Sequence, residues 1–285
     1  MMIKILSLIN GHAAAGLVTL IFLSAGTSAP ASESPGLPLV PLPSVLDFTR
    51  GGGWGVALGA GLEYGAAYDG SDEYELEFEP AGAIQWRTGN HLFSWEGLEL
   101  AWKGRFARVW LAQAGARYES GLEPDDSDDG CLDGIAERDS HIAGFVEIRR
   151  ALGQNWRNWL AARVLGGESD FGWLGILAAG RRFGSKMDGT GAEIFLFSTF
   201  ADAAFINKDF GVSRSDSETS GLARTDLGGG YRSTGITGIF RQYLTRHVHV
   251  IAEVGAELYS SEIQDSPIAR DDFEAEIGVS LLWHF

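Results

Sequence analysis

The chain has 285 residues, with 22 basic against 38 acidic side chains, a formal charge of −16, 39 Gly, 9 Trp and a single Cys. That acidity excludes nucleic-acid binding, which draws its affinity from Lys and Arg on phosphates. One cysteine, Cys131, excludes an intrachain disulfide framework and a Cys-based zinc site. Beyond the N-terminus no apolar run reaches 18 residues, and mean hydropathy is −0.01, which excludes a bundle of membrane-spanning helices but not a membrane β-barrel.

The N-terminus reads as an export signal. Lys4 supplies the positive start, Gly16–Leu23 the apolar stretch, and Ser24–Ala31 the small-residue cleavage region. Cleavage after Ala31 puts Ala29 at −3, so residues 1–31 are expected to be a signal peptide; an uncleaved anchor is disfavoured because Asn10, Gly11 and His12 break the apolar stretch. Residues 32–50, with four prolines, are expected to form an extended periplasmic leader before a single barrel domain at 51–285.

From Trp54 onward the period is two. Trp54, Val56, Leu58, Ala60, Leu62 and Tyr64 share one face; Glu63 and a set of Gly and Ala share the other. Leu76, Phe78, Pro80, Gly82, Ile84 and Trp86 alternate with Glu75, Glu77, Glu79, Ala81, Ala83, Gln85 and Arg87. The same alternation returns at 141–149 and at 247–258. The last strand, Ile277, Val279, Leu281, Trp283 and terminal Phe285, resembles the assembly signal of Gram-negative outer-membrane barrels. Such segments match the ~9–11 residues a tilted strand needs to cross a bilayer and exceed the ~5–6 of soluble strands. A soluble β-sandwich would use shorter strands and bury its Trp, whereas all nine Trp here fall in or beside the long segments, as aromatic girdles would place them.

The alternation marks eleven candidate strands, near 54–66, 75–87, 91–102, 106–118, 140–150, 156–165, 173–183, 191–200, 229–242, 247–259 and 272–285. Bacterial single-chain barrels have even numbers. Counting back from Phe285, short turns at 103–105, 151–155, 184–190 and 245–246 fall on the periplasmic side, and the long connections 119–139, 201–228 and 260–271 outside; the register fails before residue 100. One strand of the N-terminal third is therefore misread. The fold class is an all-β antiparallel transmembrane barrel of the outer membrane, with about twelve strands preferred over ten.

Several segments together resemble the MipA/OmpV family. They are Tyr68-Asp69-Gly70-Ser71-Asp72-Glu73-Tyr74, Gly115-Ala116-Arg117 followed by an acidic stretch and Leu132-Asp133-Gly134-Ile135, Phe210-Gly211-Val212-Ser213, Ser220-Gly221-Leu222 and Asp265-Ser266-Pro267-Ile268. Phe205–Asp209 departs from that family's Tyr-rich approach to Phe210. The resemblance implies an outer-membrane barrel embedded in lipid. For one member it implies a scaffold joining a lytic transglycosylase to a penicillin-binding protein; other members are described as porins or adhesins. It brings no catalytic residues.

The residues themselves offer little chemistry. Asp125, Ser127, Asp129 and Gly130 match the opening of an EF-hand loop, with Asp133 at its ninth position. Ala136 stands where the bidentate Glu belongs and strands flank the loop, so 125–133 reads as a solvated acidic loop with at most a weak divalent-cation site. His91 with Ser94, and Asp139-Ser140-His141, match no nucleophile motif, and adjacent strand residues face opposite ways. His247 and His249 share a face but lack a third ligand and read as lumen residues bonded to neighbours such as Glu253. No catalytic residue, cofactor or metal is expected. Glu63, Glu77, Glu147, Glu253, Glu257, Glu274 and Glu276 should line the lumen with Arg87, Arg149 and Arg163, pairing across it and narrowing any pore. The first functional reading is a non-enzymatic scaffold for murein enzymes; the second is a narrow cation-favouring channel.

Overall fold

The computed structural model describes residues 53–127, 129–153, 156–167, 171–184 and 191–285. The expected signal peptide and leader lie outside them. Twelve antiparallel strands close into one barrel in which each strand pairs with its sequence neighbour and β1 with β12. The strands are β1 (Gly53–Ala66), β2 (Tyr74–Thr88), β3 (His91–Glu96), β4 (Glu99–Ala107), β5 (Trp110–Glu119), β6 (His141–Ala151), β7 (Asn158–Gly166), β8 (Trp173–Gly184), β9 (Gly191–Ala201), β10 (Gly230–Tyr243), β11 (Val248–Tyr259) and β12 (Phe273–His284). Closure is what makes such a sheet tolerable in lipid, because every strand then has a neighbour on both sides.

The candidate strand at 91–102 is the misread one. It is two strands joined by Gly97–Leu98, a two-residue turn that requires a positive φ, supplied by Gly97 at +54°. In β3 the odd residues Phe93 and Trp95 are exposed; in β4 the even residue Leu100 is, so the outward parity switches across the turn. The turn expected at 103–105 is interior to β4, where Lys103 is buried, and the chain reverses at Arg108–Val109. The apparent polar break was a lumen lysine.

The connections at 89–90, 108–109, 152–157, 185–190 and 244–247 share the end where β12 finishes. Those at 67–73, 120–140, 167–172, 202–229 and 260–272 share the other. Short turns mark the periplasmic end of such barrels and long loops the outer end. Leu58, Phe78, Ile142, Val146, Leu177 and Leu196 are among the outward residues left exposed for lipid.

Two tryptophans leave the expected girdle. Trp159 is 1% exposed and lies inside the lumen, beneath the Arg149 guanidinium at 4.6 Å. Gly180 makes room for it, since a Cβ there would stand 2.3 Å from the indole. Trp156 is buried at a periplasmic turn and donates through Nε1 to the Arg108 carbonyl (2.9 Å).

Candidate functional site

The lower and middle lumen is filled by charged side chains that bond to one another. Gln85 of β2 donates to Glu96 of β3 (2.8 Å), which also binds Lys103 of β4 (3.2 Å). Beside them a second chain of contacts crosses the barrel. Gln113 donates to Glu99 (2.7 Å), Glu99 binds Arg163 (2.6 Å), Arg163 reaches Glu147 (3.8 Å), Glu147 holds Arg149 (2.7 Å), and Arg149 and Arg182 meet Glu193 (4.0 and 3.3 Å). Glu99, Lys103, Glu147, Arg149, Arg163 and Glu193 are each at most 3% exposed. Arg163 also lies 3.8 Å over the Phe145 ring.

The expectation of cross-lumen pairing holds for Glu147, Arg149 and Arg163. It missed Glu99 and Lys103, which the misplaced turn concealed, and Glu193 and Arg182 near the periplasmic end. His247 lies in the turn and stacks on Trp283 (5.8 Å), so it does not share a strand face with His249. His249 points into the lumen, where its Nδ1 meets Nε2 of His284 on β12 instead of Glu253. His91 stacks on Trp102 (5.7 Å) while Ser94 is buried on the opposite face, and His141 sits edge-on to Phe171 (5.6 Å). None of these assembles with a nucleophile. Among the described residues no group of three or more His, Cys, Asp or Glu is arranged to hold a metal.

The outer mouth carries a cap. Loop 202–229 folds into helices α1 (Ala203–Phe210) and α2 (Arg214–Ser220), and loop 260–272 carries the single-turn helix α3 (Ser261–Gln264). Tyr68, Leu132, Ile135, Val212 and Ile268 form a small apolar core there, with Leu122 and Leu222 packed on it. Each buried Leu, Ile or Val contributes ~1.5–3 kcal/mol. Most of the segments that carried the family resemblance send a residue into this one cluster.

Polar contacts pin the same pieces. The Gly70 carbonyl accepts from the Arg270 and Asp271 amides (2.7 and 3.0 Å), Ser266 donates to the Phe210 carbonyl (2.5 Å), and Ala275 N donates to Tyr74 Oη (3.1 Å). Asp216 at the start of α2 accepts from Ala136 N (3.0 Å) and Ser213 N (3.0 Å). Its burial favours the neutral acid, but the hydrogen bonds outweigh this and hold the carboxyl below its ordinary value. Asp69 is bound to buried Arg232, which also holds Glu257 (2.9 Å); burial pushes the Asp69 carboxyl above its ordinary value despite that arginine.

The acidic loop turns in on itself. Ser127 donates to Asp129 (2.8 Å), Cys131 N donates to Ser127 Oγ (2.9 Å) and to Asp129 (2.7 Å), and Arg270 stands 3.5 Å from Asp129. The Ser127 and Cys131 contacts hold the Asp129 carboxyl below its ordinary value. Asp128 and the Asp125 side chain lie outside the described residues.

Between cap and lumen lies a cavity of about 770 Å³, lined by Glu63, Asp69, Glu77, Glu79, Lys208, Asp209 and Glu274 together with apolar residues of β1 to β3 and of the β3–β4 turn. Lys208 is bound to Asp209 (2.6 Å); burial opposes its charge, and Asp209 more than compensates, raising its pKa.

A family model described as MltA-interacting protein MipA matches residues 58–285, which takes in the barrel wall from within β1 onward and all the cap segments. The chain belongs to the MipA family. This MipA-family barrel is an outer-membrane protein. Among solved structures it is similar in outline to the NanC porin (7% identity, 80% of this chain and 98% of that one, TM-score 0.41). It is similar also to the CymD monoaromatic hydrocarbon channel (8%, 83% and 89%, TM-score 0.40) and to OmpT of Vibrio cholerae (9%, 74% and 65%, TM-score 0.33). No curated protein matches it in sequence.

Proposed function

We propose that this MipA-family barrel is a non-enzymatic scaffold whose periplasmic end docks murein-processing enzymes, a lytic transglycosylase and a penicillin-binding protein among them. The observation that carries the reading is the filled lumen. Buried ion pairs in the interior oppose a wide solute path, and on this reading the ends of the barrel are the working surfaces.

The periplasmic end favours an acidic partner. Arg108, Arg157 and Arg246 are exposed in its turns, and no acidic side chain is exposed there among the described residues. Rim charges of one sign raise association rates and select partners of the opposite sign. Arg150 and Arg181 face outward at the same level, over Trp110 (5.4 Å) and Phe183 (5.5 Å), where inner-leaflet phosphates would meet them. On this reading residues 1–31 are removed on export and 32–50 add docking surface.

In whole cells, a photo-cross-linking residue at Arg108 or Arg246 should capture a murein hydrolase or synthase, and one at Glu218 on the outer cap should not. Arg108→Glu with Arg246→Glu should cut the yield about tenfold, equivalent to ~1.4 kcal/mol. Failure to capture any murein enzyme from either turn would overturn the scaffold. In planar bilayers the protein should give no conductance steps; steps that vanish when Glu253 and Glu257 are neutralised would establish the channel instead.

A further inference from the structure

β2 has one bare margin. Its pairing with β1 runs its full length, from Tyr74 to Arg87, but its pairing with β3 stops at Ala83, and the last bond on that side runs from Gly97 N to the Gly82 carbonyl (3.1 Å). In a strand the N–H and C=O of one residue point the same way and alternate along the chain, so Pro80, Phe78 and Leu76 point to the bare side with Gly82. Proline there forfeits no ladder bond, because its missing N–H falls where no strand pairs among the described residues. The six-residue β3 and its turn at Gly97–Leu98 end well below the top of β2. The wall therefore has a gap above that hairpin, at a depth where the outward residues Leu76 and Phe78 are still apolar and exposed.

The 770 Å³ cavity passes through this gap. It touches lumen-facing Glu63 and Glu77, and also Leu58, Ile84 and Trp95, which lie on the lipid face and are 56%, 38% and 57% exposed. One cavity can touch both faces of a strand only by passing round its edge. Non-helical backbone is tolerated at membrane depth where it lines a wet cavity, so the bare margin of β2 and the cavity explain each other. The chemistry is graded. Inside, the lining carries eight acidic side chains, of which Asp69 is held by Arg232 and Asp209 by Lys208; at the gap the lining is Leu58, Pro80, Ile84, Trp95 and Leu98.

We propose that this cavity binds amphiphilic cations that pass between it and the outer leaflet through the gap between β2 and the β3–β4 turn, with the cationic group among Glu63, Glu77 and Glu79 and the apolar body against Ile84, Trp95 and Leu98. The volume suits a ligand of drug-like size, for which pockets of ~300–1,000 Å³ are usual. Carboxylates inside a low-dielectric passage exclude anionic amphiphiles of the same shape.

The test uses the full barrel in phospholipid vesicles and a benzophenone-bearing primary alkylamine, with its carboxylate analogue as the matched control. The amine should label peptides spanning 76–84 and 95–98 saturably, and the carboxylate at least about tenfold less. Glu77→Gln with Glu79→Gln should reduce amine labelling about tenfold, and Leu98→Trp should slow it by narrowing the gap, in protein that keeps the heat-modifiable gel mobility of a folded barrel. The comparison of the two probes on unaltered protein does not depend on any variant folding. Equal labelling by both probes, or labelling spread around the lipid face, would overturn the proposal. So would efficient disulfide dimers of Phe78→Cys, which would give the bare margin to a second copy of the chain.

Discussion

Replacing Arg163 with leucine removes the cation at the centre of the lumen while keeping apolar bulk beside Phe145. Arg163 holds Glu99 at 2.6 Å and Glu147 at 3.8 Å, all three side chains at most 4% exposed. With an effective dielectric of ~20, the gross attractions are ~6 and ~4 kcal/mol, most of it offset by the desolvation of the three ions. What the substitution exposes is the other side of that balance: two buried carboxylates without their shared cation, which costs ~3–5 kcal/mol. Urea unfolding of barrels refolded into phospholipid vesicles, followed by tryptophan fluorescence and gel mobility, should show Arg163→Leu less stable by that amount. Adding Glu99→Gln should recover ~1–2 kcal/mol, since a neutral amide can still accept from Gln113. A loss below about 1 kcal/mol would place the pair in the class of solvated surface ion pairs. The lumen would then be wet, and the argument against conduction would fall with it.

Two further outcomes follow from the cap. Asp216 is held below its ordinary value, so its contribution is present above the unfolded-state pKa of ~3.9 and is lost as pH falls through the lower folded value. Asp216→Ala should remove ~1 kcal/mol, raising hydrogen exchange at the Ala136 amide about fivefold at pH 7; as the medium is acidified to about pH 3 the gap between variant and native protein should narrow, and a constant gap would refute the assignment. The acidic loop spends Ser127 and Asp129 on its own backbone, so millimolar Ca²⁺ or its removal by chelator should shift unfolding by less than ~0.5 kcal/mol; a larger stabilisation would mean a cation site there.

Strand existence, barrel closure and the end on which the long loops gather were legible because each rests on period-two alternation, which survives in any strand with one face in lipid. The hairpin at 97–98 was not read, because two short strands with a tight turn imitate one long strand unless the parity of the apolar face is followed. Phe93 and Trp95 against Leu100 was the signal. Pro80 was a second: a proline inside a strand belongs to an edge, and it marked the bare margin of β2. Glu147, Arg149 and Arg163 were visible as lumen charges, but Glu99 with Arg163 and Arg149 with Glu193 were not, since these pairs are set by barrel curvature across strands that do not adjoin. The family segments were recognisable as short words; that they share one apolar cluster depends on loops up to 200 residues apart in sequence.

That separation has a kinetic consequence. Tyr68 donates to the Ile268 carbonyl and Tyr74 accepts from the Ala275 amide, contacts spanning 200 and 201 residues. Loops 67–73 and 260–272 become neighbours only when β1 registers with β12, from Ala57 on His284 to Tyr64 on Ile277. Contacts of such high sequence separation form late, after the loop-closure entropy has been met. The cap is thus a latch that sets only on a completed cylinder, and an open, half-inserted sheet would show its outer loops to proteases.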